Sequence, residues 1–485
     1  MSTVSPSAAR PATSTGDLVV HRALVRHGAT VLVDVEDLRL EPGRALTVVG
    51  ESGSGKSVLA HALVGTLPAE LVAEGSMSLG EASFDLADRR GRRRLWGREV
   101  ALLPQEPALA LDPTMRVRAQ VAEGARGWRP RDPGPLRAAD ERLDQVGLPG
   151  VGGAYPHTLS GGMAQRVAYA AATVGGARVL VVDEPSKGLD PASLDRLADL
   201  LTAHLAGGGL LLTITHDLRL ARRLGGDVLV VREAGVVEAG PVDRVLDEPA
   251  HAYTRRLVAA EPGRWRHPWT TAGGAASRVD GGLLVTARGL TKAYAASPLF
   301  VDLDLQVREG ERWSVTGPSG VGKTTLGNAL LGLTRVDRGV VEHAPAARGG
   351  RLQKLYQDPS LSFPRRVPLA RGLRDVVRRH GVDPARLPGL LEQVGLSPDL
   401  LARRPDQVSG GELQRVAVVR AMLARPTLVC ADEATSRLDH VTQETTAEVL
   451  ATELLETGCA LLLVTHDAAL ADALTDHHVR LEPTG

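Results

Sequence analysis

Two segments of this 485-residue chain, Gly50-Glu51-Ser52-Gly53-Ser54-Gly55-Lys56-Ser57 and Gly317-Pro318-Ser319-Gly320-Val321-Gly322-Lys323-Thr324, share the pattern G-x-x-x-x-G-K-[ST]. That pattern describes a turn between a strand and a helix. Its bare N–H groups wrap a phosphate, its lysine reaches the terminal phosphates and its hydroxyl faces a metal ion. Ala45-Leu46-Thr47-Val48-Val49 leads into the first loop as a strand, and Val58 to Val64 follows it as a helix. Each loop is followed, in the same order, by a Gln (Gln105, Gln357), a Ser-Gly-Gly, an Asp-Glu after an apolar run, and a Thr-His-Asp. The offset between halves is 267 at the loops, 252 at the glutamines, 249 at the Ser-Gly-Gly and Asp-Glu pairs, and 250 at the histidines. The 15-residue difference falls between loop and Gln in the first half, where it reads as a surface insertion outside the core.

Length and hydropathy fit a duplicated globular chain. A chain of 485 residues exceeds one ordinary core, so two domains are expected. No stretch approaches the roughly 18 unbroken apolar residues of a membrane helix, so a membrane role has to be borrowed from partners. Residues 1–16, rich in Ser, Ala, Thr and Pro and without an apolar block, read as a disordered lead-in, and the protein is expected in the cytosol. The first domain is expected over 17–262 and the second over 283–485. Between them, 263–282 carries two Gly-Gly pairs and no periodicity, and reads as a linker. Its Trp265 and Trp269 are open to docking on a partner or to packing on the first domain.

Charge is balanced at 57 basic against 57 acidic residues, which gives no broad nucleic-acid surface. The one basic run, Arg89-Arg90-Gly91-Arg92-Arg93-Arg94, reads as a solvated face, with contact to a membrane partner or lipid headgroups as the alternative. Cys430 and Cys459 lie in apolar surroundings and form no C-x-x-C, so they read as buried free thiols. Lysine is scarce: the five are Lys56, Lys187, Lys292, Lys323 and Lys354. Two of these sit in the phosphate loops, where a compact ammonium fits and a broad guanidinium fork does not.

The apolar runs Val179–Val182 and Leu428–Ala431 before the Asp-Glu pairs, and Leu210–Thr215 and Ala460–Thr465 before the histidines, have the continuous hydrophobicity of strands buried on both faces. They imply α/β domains, each with a mainly parallel sheet and ligand groups at the strand ends. At those ends Ser57 and Thr324 supply a hydroxyl to Mg²⁺, with Asp183 and Asp432 as its carboxylates. Glu184 and Glu433 are then placed to polarise a water. Ser160-Gly161-Gly162 and Ser409-Gly410-Gly411 each precede a helical stretch, giving an N-cap serine and bare N–H groups for a second phosphate contact.

Within Leu159-Ser160-Gly161-Gly162-Met163-Ala164-Gln165-Arg166 and Val408-Ser409-Gly410-Gly411-Glu412-Leu413-Gln414-Arg415 the chain resembles the nucleotide-binding subunits of ATP-binding cassette (ABC) transporters. The resemblance runs in two copies from about residue 17 onward. It implies two P-loop NTPase domains in tandem with ATP and Mg²⁺ as ligands. The phosphate contacts would be Gly50, Ser52, Gly53, Gly55, Lys56 and Ser57 in one half, and Gly317, Ser319, Gly320, Gly322, Lys323, Thr324 and Thr325 in the other. It further implies head-to-tail composite sites, in which the loop and Asp-Glu of one half face Ser160 and Gly162, or Ser409 and Gly411, of the other. Gln105 and Gln357 look like the Q-loop residues that sense the metal and contact membrane subunits. His216 and His466 look like the switch histidines, and Asp190 and Asp439 like the D-loop aspartates. The family stacks adenine on an aromatic residue upstream of the loop. Tyr294 fits that position, 23 residues before Gly317, whereas His27, 23 before Gly50, departs from it.

Gln105-Glu106-Pro107 with Leu111-Asp112-Pro113, Gln357-Asp358-Pro359 with Leu361-Ser362, and the tail Pro249-Ala250-His251-Ala252-Tyr253-Thr254-Arg255-Arg256-Leu257 are similar to the oligopeptide, dipeptide and nickel importer group. Some members carry an iron–sulfur cysteine cluster beyond that tail; the absence of cysteine there implies none here. The resemblance implies a fused ATPase at the cytoplasmic face of the membrane. Its expected partners are two transmembrane permeases, through which it meets the membrane, and an extracellular solute-binding protein; no nucleic acid is expected. The rival expectations are a fused sugar or vitamin importer ATPase, or a soluble twin-cassette ATPase acting on ribosomes or DNA.

Overall fold

The computed structural model describes residues 16–129, 132–265, 281–294, 297–435 and 438–482. The expected lead-in, Trp269 and most of the expected linker lie outside them. Two compact units are present, residues 1–186 with 193–255, and residues 187–192 with 256–485.

The first unit carries two sheets. Its six-stranded sheet runs in the order Gly235–Pro241, Asp227–Arg232, Ala45–Gly50, Leu210–Ile214, Val179–Asp183, Val100–Leu103. Every pairing is parallel except the antiparallel edge pair Gly235–Pro241 with Asp227–Arg232. The apolar runs of the sequence become the central strands, Val179–Asp183 and Leu210–Ile214, buried at every position. That burial is the reason they do not alternate. The second sheet is antiparallel, in the order Thr30–Leu40, Leu18–His27, Val72–Leu79, Ala82–Asp85. The helix Lys56–Val64 contributes Leu59, Leu63 and Val64 to the apolar cluster that joins residues of both sheets.

The second unit repeats the plan with fewer strands among the described residues. A parallel sheet runs Leu352–Leu355, Leu428–Asp432, Ala460–Val464, Arg312–Thr316, His477–Arg480, beside an antiparallel sheet Ser297–Arg308, Leu283–Tyr294, Arg338–His343. Between loop and Gln the first unit has a hairpin strand Ala82–Asp85, a short helix Arg89–Arg92 and a 3-10 turn Arg93–Leu95. These occupy the stretch where the first half is longer.

The Arg-rich run corrects its expectation. Arg90, Arg93 and Arg94 are exposed, but Arg92 is 1% exposed and donates to the carbonyls of Ala62, Leu63 and Leu86. Ala62 and Leu63 lie in the last turn of the helix that begins at Lys56. A guanidinium there answers unpaired carbonyls and the negative end of the helix dipole together. Arg89 donates to Leu67, Pro68 and Leu71 carbonyls at 3.1, 3.0 and 2.6 Å. Two of the five arginines therefore staple backbone rather than face solvent.

Trp265 also departs from the expected packing on the first domain. It is 8% exposed, its indole N–H donates to the Ala260 carbonyl at 2.8 Å, and it joins the second unit's apolar cluster with Leu470 and Leu474. Cys430 and Cys459 are buried free thiols, as expected, and burial pushes both up to about 12.

Candidate active sites

In each unit the ends of three neighbouring parallel strands bring the motifs together. The loop follows Ala45–Gly50, the histidine follows Leu210–Ile214 and Asp183 ends Val179–Asp183; Arg312–Thr316, Ala460–Val464 and Leu428–Asp432 do the same in the second unit. Residues 126 and 108 apart in sequence thereby meet. Ser57 Oγ donates to Asp183 Oδ1 at 2.9 Å, and Thr324 Oγ1 donates to Asp432 Oδ1 at 2.8 Å. A hydroxyl and a carboxylate so paired are hard oxygen donors of the kind Mg²⁺ takes.

Each loop is shaped as a cradle. Gly55 and Gly322 precede the helices Lys56–Val64 and Lys323–Leu330 with φ of 95° and 106°. A Cβ on Gly55 would lie 2.1 Å from the Leu32 carbonyl oxygen, and one on Gly322 2.8 Å from the Leu299 Cβ. Only glycine fits either place. Lys56 Nζ donates to the Gly50 and Glu51 carbonyls at 2.9 and 2.6 Å; Lys323 Nζ donates to those of Gly317 and Pro318 at 2.9 and 2.8 Å. Both ammonium groups are buried at the loop mouth, and burial holds Lys323 below its ordinary value against the Glu433 and Asp432 carboxylates. A buried cation inside a ring of N–H groups at a helix N-terminus fits a polyphosphate.

Glu184 and Glu433 both adopt left-handed backbone, φ 46° and 48°. Such a conformation is uncommon for a residue with a side chain and is found at functional turns. It returns their N–H groups to the Ile214 and Val464 carbonyls at 2.7 and 2.8 Å and turns the carboxylates to the histidines. Glu184 Oε2 meets His216 Nδ1 at 2.6 Å, and Glu433 Oε1 meets His466 Nδ1 at 3.0 Å. Burial disfavours ionisation of both members of the first pair. Their mutual charge and hydrogen bond outweigh it, holding Glu184 below and His216 above its ordinary value. Gln357 Nε2 also donates to Glu433 Oε2 at 2.6 Å. Gln105 sits half-buried just past the strand Val100–Leu103.

Ser160 and Ser409 are N-caps of the helices Gly161–Thr173 and Gly410–Leu423, accepting from Met163 and Glu412 N–H at 3.3 and 3.2 Å. Asp439 caps the helix His440–Thr457 and is buried; Asp190 immediately precedes the helix Pro191–Ala206. His27 and Tyr294 end corresponding strands and are exposed, Tyr294 with the Lys292 ammonium 5.4 Å from its ring centre.

Two contributors escaped the sequence reading. Lys354, 7% exposed at its side chain, pairs with Asp432 Oδ2 at 2.8 Å and donates to Asn328 Oδ1 at 2.7 Å. It lies opposite Cys430 in the sheet, as Leu102 lies opposite Val181, so the first unit has a leucine at the equivalent place. Asp183 accordingly has no lysine from that position, and burial pushes its carboxyl up against the Ser57 hydrogen bond. Lysine scarcity was the available signal. The other contributor is Tyr253, whose hydroxyl accepts the Glu51 N–H at 2.8 Å.

Residues 33–187 and 300–436 match the ABC transporter family model. The chain is 34% identical to the peptidoglycan transport ATP-binding protein YejF of Agrobacterium fabrum, covering 96% of this chain and 90% of that protein. The chain belongs to the ABC transporter family. It is an ATPase of the oligopeptide and dipeptide importer group with two fused cassettes. It is also 33% identical to the glutathione import ATP-binding protein GsiA of Salmonella choleraesuis, over 90% of this chain and 80% of that one. Among solved structures, an RNase-L inhibitor covers 96% of the chain and is itself covered to 88%, with a TM-score of 0.65 at 22% identity, a likeness of fold. No helix of the described residues is long and apolar enough to cross a membrane.

Proposed function

We propose that this chain is the energy-coupling subunit of an importer for a peptide-like solute, working at the cytoplasmic face of the membrane with two permeases and an extracellular solute-binding protein. The observation that carries this reading is similarity over 90% or more of the chain to proteins named for peptidoglycan transport and glutathione import. Nickel or another metal chelate is the alternative solute within the same group.

Under this reading the domains span about 17–262 and 283–485 with 263–282 as linker. Ser57 with Asp183, and Thr324 with Asp432, hold Mg²⁺ on the nucleotide, and Gln105 and Gln357 sense it. The metal draws charge from the terminal phosphate when bound. Glu184 and Glu433 orient and polarise the attacking water. The neighbouring imidazoles of His216 and His466 fix those carboxylates and face the terminal phosphate. Tyr294, and with weaker stacking His27, hold the adenine. Ser160, Gly162 and Asp190 act with the second loop, and Ser409, Gly411 and Asp439 with the first. The motif order and family membership support this composite assignment.

Affinity purification of the tagged chain from solubilised membranes of its source tests the partnership. Recovery of two permeases, with ATP turnover raised by their peptide-loaded binding protein, is the expected result. Recovery with ribosomes and no permease would reject it.

A further inference from the structure

The tail after the first cassette is held in place by the cassette's own edge strands. Glu238, on Gly235–Pro241, accepts the N–H groups of Ala250 and His251 at 2.9 and 3.0 Å. His251 Nδ1 then accepts the Tyr253 N–H at 3.2 Å, which sets the start of the helix Ala252–Ala259. Tyr253 is 4% exposed, and the Arg232 guanidinium lies 5.2 Å from its ring centre.

From there the phenolic oxygen reaches the phosphate loop, 202 residues away in sequence, and accepts the Glu51 N–H. That N–H belongs to the Gly50–Glu51 peptide group, whose oxygen accepts from Lys56 Nζ at 2.9 Å. One peptide group is therefore gripped on one side by the loop lysine and on the other by the tail. The second loop has Pro318 at this place, with no N–H to satisfy, while Lys323 still donates to the Gly317 carbonyl. Gly50 and Gly317 have similar φ, 154° and 143°, at the residue that precedes Glu51 in one loop and Pro318 in the other.

We propose that Tyr253 is a positioning residue for the first phosphate loop, making nucleotide affinity at that loop alone depend on the 249–254 tail. The inference rests on the reading that the loop binds nucleotide phosphates. Without the phenolic oxygen, the half-buried Glu51 N–H loses the Tyr253 bond, and the peptide group that seats Lys56 is free to tilt.

The test is calorimetric titration of ADP into the full chain carrying Lys323→Ala, which leaves the first loop as the binding site. Tyr253→Phe keeps the ring under Arg232 and removes one oxygen; we expect the Kd to rise about fivefold, the worth of one hydrogen bond to a half-buried N–H. In the Lys56→Ala background, where only the second loop binds, Tyr253→Phe should change nothing. Glu51→Pro copies the second loop and removes the donor, so adding Tyr253→Phe to it should have no further effect. An unchanged Kd in Tyr253→Phe overturns the proposal, as does an equal loss with and without Glu51→Pro. Amide exchange over residues 50–57 gives a second reading without nucleotide: faster exchange at Glu51 is expected, and unchanged exchange counts against the proposal. Failure of the parent chain to bind ADP would overturn the nucleotide reading itself.

Discussion

The two cassettes present one set of strand-end contacts and hold it in two different ways. Hydroxyl to aspartate, lysine to loop carbonyl, and glutamate to histidine recur in both units within a few tenths of an ångström. The supports differ. In the first unit the loop and its helix are secured from outside, by Tyr253 on Glu51 and by Arg92 on the carbonyls of Ala62 and Leu63. In the second, His343 donates to the Leu330 carbonyl at the helix end at 2.8 Å, Lys354 neutralises Asp432, and Gln357 shares Glu433 with His466. The contacts that recur are those the proposed nucleotide site needs, whereas the means of fixing them varies with the surrounding fold.

The largest expected difference is at Lys354. Replacing it by methionine leaves Asp432 charged and buried without its partner, and breaking such a pair costs about 3 kcal/mol. Faster amide exchange over Leu428–Asp432, with Val179–Asp183 unaffected, is the expected outcome. Equal exchange in both strands would remove Lys354 from the comparison. Next comes Arg92. Arg92→Leu strips the cation from four backbone carbonyls, those of Ala62, Leu63, Leu86 and Asp88, and a loss of about 2 kcal/mol is expected from charge-assisted bonds of this kind. Denaturant melting followed by exchange along the helix Lys56–Val64 checks it; a melt identical to the parent would contradict the staple.

A smaller effect concerns pH. His216 sits above its ordinary value and Glu184 below its own. The histidine's contribution is complete below its unfolded value of 6.5 and is lost as pH rises through the raised folded value. The glutamate's is complete above its unfolded value of 4.5 and is lost as pH falls through the lowered folded value. The pair thus stabilises the fold most between those two values. The stability gap between parent and His216→Gln should be widest there and should narrow on further alkalinisation. A gap that grows above neutral pH would contradict the pairing.

The mainly parallel sheets and the place of the motifs at strand ends were legible in the sequence, because phosphate loops and continuous apolar runs are backbone requirements that few residues satisfy. Gly55 and Gly322 precede the two helices, and Asp183 and Asp432 end their strands. The supports were hidden for identifiable reasons. Arg92 sits in a run that reads as solvated until a helix end is brought against it. Tyr253 was visible only as part of a tail, since nothing local ties it to a loop 202 residues earlier. Lys354 gave only the signal of a scarce residue type, and its partner depends on parallel register.

The central claim is that both cassettes are competent and act together. Steady-state ATP turnover of the full chain with Glu184→Gln and Glu433→Gln, introduced one at a time, tests it most directly. The account predicts that each single change lowers turnover by about tenfold or more, since removal of a water-polarising carboxylate is worth at least that and the sites work jointly. Retention of parent-like turnover by either variant would contradict it.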